Sequence, residues 1–396
     1  MQGRAEGGDR GLTRPRERYD VAVVGAGIIG CATAYYLASR GLSVAVFDKD
    51  YITAGSTGRC PGGIRQQWAT EDHVRLAMKS VEIFKNLDQE LGVDTDYKQG
   101  GYLIIAKTEE EVKQFQKNIV MQRSHGLPVE WLEPGEINEI VPELDVEGIG
   151  ALGAAWNPTD GYADPFKVTY GYARAAERLG AEIFTFTPVK RVRIVEGQVA
   201  GVETEKGFVR AGCVVNAAGA WSRQVAETAG VRLPNKPYRH EILVTEPIKP
   251  FLGPMVICFH DNVYFRQSPR GSILGGWGDP HEKPGYNFES SLRFLVKMTK
   301  LLATYIPRLK SVRVVRQWAG LYDVTPDAKQ ITGPVRGVKG FIQANGFSGH
   351  GFMMGPITSK LVAQLIAGEP LDLPIDPFLL ERFEKGVAGA EAAVVG

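Results

Sequence analysis

The chain has 396 residues, enough for about two domains and a core that needs no staples. Its 46 Lys+Arg and 45 Asp+Glu leave a net charge of +1, which excludes a general electrostatic drive towards nucleic acid or anionic lipid. Four dispersed cysteines (31, 60, 213 and 258) exclude a disulfide scaffold and a CxxC metal or redox motif, and they place the expected enzyme in the cytoplasm.

Residues 1–18, rich in Gly and Arg, read as a disordered tail. Val21 to Ser39 is a run of 19 residues without a charge, the profile of a membrane span. Its internal pattern argues against one. Tyr19–Val24 is a short β-branched run suited to a buried parallel strand. Gly25-Ala-Gly-Ile-Ile-Gly30 follows, then a helix from Cys31 to Arg40, and a second strand at Leu42–Phe47 closed by Asp48.

In such a strand–turn–helix unit Gly25 permits the tight turn, Gly27 lets backbone approach a pyrophosphate, and Gly30 lets helix pack on strand. The helix N-terminus, with Ile28, offers free N–H groups to the phosphates. Asp48, followed by Lys49, lies 23 residues after Gly25, close to the ~20 expected for a carboxylate that binds ribose. Such an acid favours FAD or NAD over NADP.

Further along, the pattern predicts helices near Glu71–Leu91, Glu109–His125 and Pro165–Leu179, with a strand at Gly101–Ala106. Asn157–Gly161 reads as a turn. Short strands at Ala181–Thr187, Val189–Val195 and Val199–Glu205 lead to a second glycine site, Val214–Trp221, which contributes Ala217, Gly219 and Trp221. From Arg239 to Gly278 the alternation is β-rich, Ser290–Tyr305 is helical, and Arg313–Tyr322 returns as a strand. A third glycine turn then carries Gly346, Phe347, Gly349, His350 and Gly351, ahead of a helix predicted from Pro356 to Ala367. Three backbone approaches spread over the chain fit an extended cofactor lying across one discontinuous domain, which favours FAD over NAD. The expected fold is α/β. A Rossmann-type FAD-binding domain is built from residues 19–100, 155–235 and 325–390, and a mostly antiparallel β-sheet domain with helices, from 101–154 and 236–324, faces the substrate.

The stretches Val23–Gly30, Gly55–Trp68, Asn216–Trp221, Trp318–Asp327 and Gly346–Met354 together resemble the D-amino-acid-oxidase-like FAD enzymes: sarcosine oxidases, glycine oxidases and dye-linked amino-acid dehydrogenases. Within that group, Gly55–Gln67, Ala155–Phe166, Pro237–His240 and Gly349–Met354 are most similar to the β subunit of hetero-oligomeric, dye-linked L-proline dehydrogenases. The resemblance adds Ser56, Thr57, Gly63, Ile64, Val189, Phe352 and Met353 to the cofactor-binding set. It places Arg65 near a substrate carboxylate, a task suited to a planar bidentate donor. His240, Tyr264, Tyr322 and Met353 become candidate pocket residues, with a structural role open for His240 and Tyr264. Cys60 reads as inert, and the four remaining histidines, without ligand spacing, give no metal site.

Departures from the group are informative. Met353 stands where sarcosine oxidases have a lysine, making a more apolar wall. No cysteine lies beside Tyr322, where monomeric sarcosine oxidases tether FAD. Gly161–Phe166 holds no histidine to tether an FMN at an interface with a partner subunit. The stretch Gly271–Gly278 has no lysine of the kind that speeds reaction with oxygen in related oxidases.

The expected function is an FAD-dependent dehydrogenase that oxidises the C–N bond of a secondary amino acid, foremost L-proline. It works by hydride transfer to flavin N5, gives an imine, and acts within a hetero-oligomer. The alternatives are a sarcosine- or glycine-type oxidase that makes hydrogen peroxide, and a non-catalytic flavin-binding subunit or assembly factor. If the cofactor is untethered, purified protein will be yellow and acid precipitation will release intact FAD to the supernatant. Colour that stays in the pellet would refute this.

Overall fold

The computed structural model describes residues 14–386 and 389–394. Of the predicted tail, residues 1–13 lie outside the described residues. Its end is ordered: Arg18 already opens the first strand, opposite Arg210.

The chain begins with β1 (Arg18–Val24), α1 (Ile28–Ala38) and β2 (Val44–Phe47). The uncharged run is therefore a strand, a turn and an 11-residue helix. That helix is apolar all round because it is covered all round: ten of its eleven residues are buried. Among the described residues no helix is long and apolar enough to cross a membrane.

Next come β3 (Gly63–Ile64), α2 (Glu71–Leu91), β4 (Tyr102–Ala106), α3 (Glu109–Ser124), β5 (Glu130–Leu132), α4 (Pro134–Ile140), β6 (Gly153–Asn157), β7 (Gly161–Tyr162) and α5 (Pro165–Arg178). The chain then forms β8 (Glu182–Phe184), β9 (Val189–Val195), β10 (Gln198–Thr204), β11 (Gly207–Asn216) and α6 (Ser222–Thr228). The last third holds β12 (Lys236–Thr245), β13 (Met255–Cys258), β14 (Val263–Gln267), β15 (Ile273–Trp277), α7 (Leu292–Tyr305), β16 (Val314–Val324), β17 (Ile331–Val335), β18 (Val338–Asn345) and α8 (Gly351–Ala367).

Two eight-stranded sheets organise these elements. In the first, β8, β2, β1, β11 and β18 run parallel, with β17 antiparallel at one edge and the β9–β10 hairpin laid against β11. The second runs β16-β12-β15-β14-β13-β4-β6-β5 and is antiparallel except where β13 meets β4. Strands of the first sheet come from three separated stretches of chain and those of the second from the stretches between. β6 keeps the chain in the second sheet to Asn157, past the expected boundary at residue 154.

Further details differ from expectation: the first helix runs Ile28–Ala38 rather than Cys31 to Arg40. The last helix starts at Gly351, not Pro356, because the left-handed Gly349 (φ +95°) turns the chain and His350 serves as N-cap. Proline favours a first helical position, but here it sits inside the helix, where it has no N–H to give the Phe352 carbonyl. Asn157–Gly161 is a turn whose tip, Pro158, is exposed but whose Asn157 and Asp160 are fully buried, as described below.

At the β1–α1 turn the packing leaves no room for a side chain. A Cβ on Gly30 would lie 1.8 Å from the Gly25 carbonyl oxygen, and one on Gly25 (φ +108°) 2.4 Å from that of Ala217. Gly30→Ala should therefore cost about 3 kcal/mol or more. Gly41→Ala, with positive φ but open space around it, should cost about 1–2 kcal/mol. Thermal melts of the two apoproteins check the order, and equal Tm values would contradict it.

Candidate active site

A cavity of about 810 Å³ lies where the carboxyl ends of β1, β2 and β11 face the N-termini of α1 and α8. Gly25, Gly27, Ile28, Asp48, Lys49, Ser56, Thr57, Val189, Ala217, Gly219, Trp221, Phe347, Gly349, Gly351 and Phe352 line it. Its volume is within the ~300–1,000 Å³ usual for small-molecule sites, and crevices at the carboxyl ends of parallel strands are where open α/β sheets bind ligands.

The cradle suits a dinucleotide. A Cβ on Gly27 would meet the Thr57 hydroxyl at 3.0 Å, so glycine keeps the backbone bare there. Thr57 in turn accepts the Ile28 N–H at 3.2 Å. Asp48 accepts the Ala26 N–H at 2.6 Å and the Asp50 N–H at 2.9 Å, while burial pushes its carboxyl above the ordinary range. Lys49 Nζ sits 3.4 Å over the Trp221 ring. Of the other predicted contacts, Gly63, His350 and Met353 line a second, smaller cavity. Gly30, Ile64 and Gly346 line neither: Gly30 and Ile64 are packed inside, and the Gly346 N–H is held by Asp323 at 2.7 Å.

The second cavity, about 100 Å³, shares Ser56, Tyr322, Gly349 and Phe352 with the first. It gathers Arg65, His240, Tyr264, Tyr322 and Met353 from five separate parts of the chain.

Arg65 follows β3, which is pinned to β7. The next two residues are fixed by Asp160, which is fully buried and accepts hydrogen bonds from the Gln66 N–H (2.7 Å), the Gln66 and Gln67 amides (3.1 and 3.0 Å) and Asn157 (2.9 Å). Burial lifts the Asp160 carboxyl to about 6 against these bonds. The Arg65 guanidinium lies 4.0 Å over the Trp68 ring, and the Trp68 indole donates back to the Arg65 carbonyl at 3.0 Å. Arg65 is 4% exposed, and burial draws it below its ordinary value. One guanidinium nitrogen, Nη2, donates to the Ala393 carbonyl; the other, Nη1, has no hydrogen-bond partner among the described residues.

The opposite wall belongs to the second sheet. His240 on β12 stacks on Tyr322 of β16, with centroids 4.3 Å apart, and lies 3.1 Å from the Tyr264 hydroxyl on β14. Glycines clear the space between these strands. Gly276 faces both Ile242 and Tyr264, and a Cβ there would come within 2.3 Å of the Tyr264 hydroxyl. Gly320 faces His240 across the ladder. Burial alone lowers His240 to about 4 and, with Arg65 nearby, His350 to about 3, so both rings are neutral near pH 7. Burial also pushes the Cys60 thiol up to about 12, which fits an inert cysteine.

Several residues around these cavities carry no sequence signal strong enough to single them out. Asp323, lifted by burial to about 7, lines the larger cavity and anchors the third glycine turn through Gly346 and Asn235. Arg59 lines both cavities. Val394, near the far end of the chain, lines the smaller one. Among the described residues no cluster of His, Cys, Asp and Glu could hold a metal ion.

Residues 20–365 match the family described as FAD dependent oxidoreductase (DAO). The chain belongs to this family. Among its members, sarcosine oxidase subunit beta of Rhodobacter capsulatus is 31% identical over 96% of this chain and 92% of its own. The crystal structure of L-proline dehydrogenase from P. horikoshii superposes with a TM-score of 0.89 at 40% identity, covering 94% of this chain and 99% of that one. Glycine oxidase from Geobacillus kaustophilus superposes at 0.85 with 28% identity, over 93% and 99%. The larger cavity has the volume and the bare glycine backbone that the dinucleotide of an FAD-dependent oxidoreductase needs.

The neutral His240 makes a pH prediction. Between its ordinary value of 6.5 and about 4, the unfolded chain binds a proton that the folded chain refuses. Stability is therefore lost as pH falls through that window, at up to about 1.4 kcal/mol per pH unit for this one group. His240→Gln should melt with a shallower acid dependence than the parent between pH 6.5 and 4. Parallel Tm-versus-pH curves would show that His240 is not held neutral.

Proposed function

We propose that the protein is a dehydrogenase that oxidises the C–N bond of a secondary amino acid, L-proline foremost, and works beside a partner subunit in the cytoplasm. The observation that carries this reading is Arg65: buried, half-satisfied, and set in a small cavity that shares a wall with the dinucleotide cavity. A carboxylate would satisfy both guanidinium prongs. FAD, when bound, supplies the two-electron acceptor.

The chain's own residues do the rest. Arg65 anchors the carboxylate and so fixes which face of the α-carbon meets the shared wall. The His240–Tyr264–Tyr322 stack and Met353 form a flat, uncharged surface suited to a pyrrolidine ring. Among the described residues no Asp or Glu lines the smaller cavity, while Arg59 and Arg65 do. A mostly apolar, positively charged site disfavours an ammonium, so the substrate amine is held unprotonated, the form whose lone pair can expel hydride. The iminium left behind then loses a proton to give the imine.

L-proline as substrate draws its support from the P. horikoshii neighbour at 40% identity. A partner subunit draws on the relatives named as a subunit beta, and the cytoplasm on four unpaired cysteines. Any FMN shared with that partner would lack a histidine tether in Gly161–Phe166. The smaller cavity also has no lysine in its lining, which favours a dehydrogenase over an oxidase.

Anaerobic addition of L-proline should bleach the flavin. Reoxidation should then be fast with a dye and slow in air. Arg65→Lys should lower kcat/KM about tenfold to a hundredfold, the worth of a charged hydrogen bond of ~1.5–3 kcal/mol. No bleaching by any amino acid would leave a non-catalytic flavoprotein, and air reoxidation at the turnover rate would make it an oxidase.

A further inference from the structure

The C-terminal segment 391–394 reaches back across the molecule to the candidate substrate site. Glu391 is 2% exposed and works as a latch. Its carboxylate accepts the Ala69 and Thr70 N–H groups, each at 3.0 Å, and the Thr70 hydroxyl at 2.8 Å, at the threshold of α2. It also accepts the Ala393 N–H at 2.8 Å, while its own N–H donates to the Asp327 carbonyl at 2.9 Å. So held, the segment presents the Ala393 carbonyl to Arg65 and sets Val394 in the wall of the smaller cavity.

Behind the segment lies another void, of about 60 Å³, lined by Ala392 and Ala393 together with Gln67, Gln122, Phe115 and Phe259. Gln67 and Gln122 each keep a buried amide oxygen without a partner. The segment is thus a partition between two small cavities. With it in place the substrate cavity measures about 100 Å³, well below the ~300 Å³ at which small-molecule sites usually begin.

We propose that segment 391–394 is a displaceable gate that occupies Arg65 in the resting protein and yields to a carboxylate. The inference rests on the reading of Arg65 as the carboxylate anchor. A neutral carbonyl satisfies one prong of the guanidinium and leaves Nη1 bare; a carboxylate satisfies both with charge-assisted bonds, so the exchange runs towards ligand. Displacement joins the two cavities, and the unpartnered oxygens of Gln67 and Gln122 then line the path by which an amine donor enters. The gate and the substrate compete, so the tail raises the apparent KM by the reciprocal of the fraction of molecules in which it is open.

The test is hydrogen exchange on the full-length holoprotein, with and without tetrahydrofuran-2-carboxylate, a ring carboxylate with no amine to oxidise. Saturating probe should speed exchange at the Glu391 and Ala393 amides about tenfold or more, and Arg65→Lys should abolish that response. In the full-length chain, Glu391→Ala should lower both the Kd of the probe and the KM for L-proline about tenfold, releasing the latch. Slower exchange on binding would make the segment a lid that closes over ligand and would overturn the gate. So would a Kd in Glu391→Ala that is unchanged or raised. If L-proline fails to bleach the flavin, the substrate reading falls, but the probe needs only a carboxylate at Arg65 and still decides the gate.

Discussion

The close passage of three backbone stretches at the β1–α1 turn is the constraint on which the rest of the structure hangs. Gly25 passes under the Ala217 carbonyl at the end of β11, and Gly30 sits against Gly25 itself, at separations that exclude even a methyl group. That contact ties the first segment of the chain to the second. Gly355 does the same for the third: a Cβ there would lie 2.9 Å from the Ile28 side chain, so α8 can lie close against α1. Two helix N-termini and three strand ends converge on one crevice in consequence, and the partial positive charge of both helices points into it.

The second sheet supplies what the crevice lacks, a wall for a small molecule. Each side chain of that wall is held by a desolvated neighbour. Facing that wall, Arg65 is held by the Trp68 and Phe259 rings and the Ala393 carbonyl. His240 is trapped between Tyr322 and Tyr264. Burying an arginine without a carboxylate partner is costly, and among the described residues the structure meets that cost with two π-faces, Trp68 and Phe259, and a backbone carbonyl. The same burial keeps the histidines and tyrosines uncharged. The pocket therefore carries positive charge and neutral hydrogen-bonding groups, an environment that holds an anion firmly and a protonated amine poorly.

Desolvation also accounts for two buried carboxyls of shifted acidity that hold loops in place. Asp160 and Asp323 are raised because they are buried, yet each accepts hydrogen bonds that hold a loop in place: Gln66–Gln67 behind Arg65, and the Gly346 turn beside the larger cavity. They are positioning residues, and their perturbation marks where the fold has been bent to serve the site.

Much of this was legible in the residues alone because it is local. A glycine that must bring backbone close, a β-branched run before it and an acid after it are bound together within about thirty residues, and their spacing encodes the turn, the helix and the Asp48 carboxylate that lines the larger cavity. Helix limits such as Glu71–Leu91 follow from the apolar period and the left-handed Gly92 that ends it. The pocket residues were legible only through family resemblance, since nothing in a strand's alternation says which face will meet a flavin. The tertiary structure alone decided that Gly276 makes room for Tyr264 beside His240, that a polar turn at Asp160 is buried, and that Glu391 and Ala393 return to Arg65 from more than three hundred residues away. Those facts depend on which surfaces meet once two sheets have packed, and contact between residues distant in sequence leaves no period in the sequence to read.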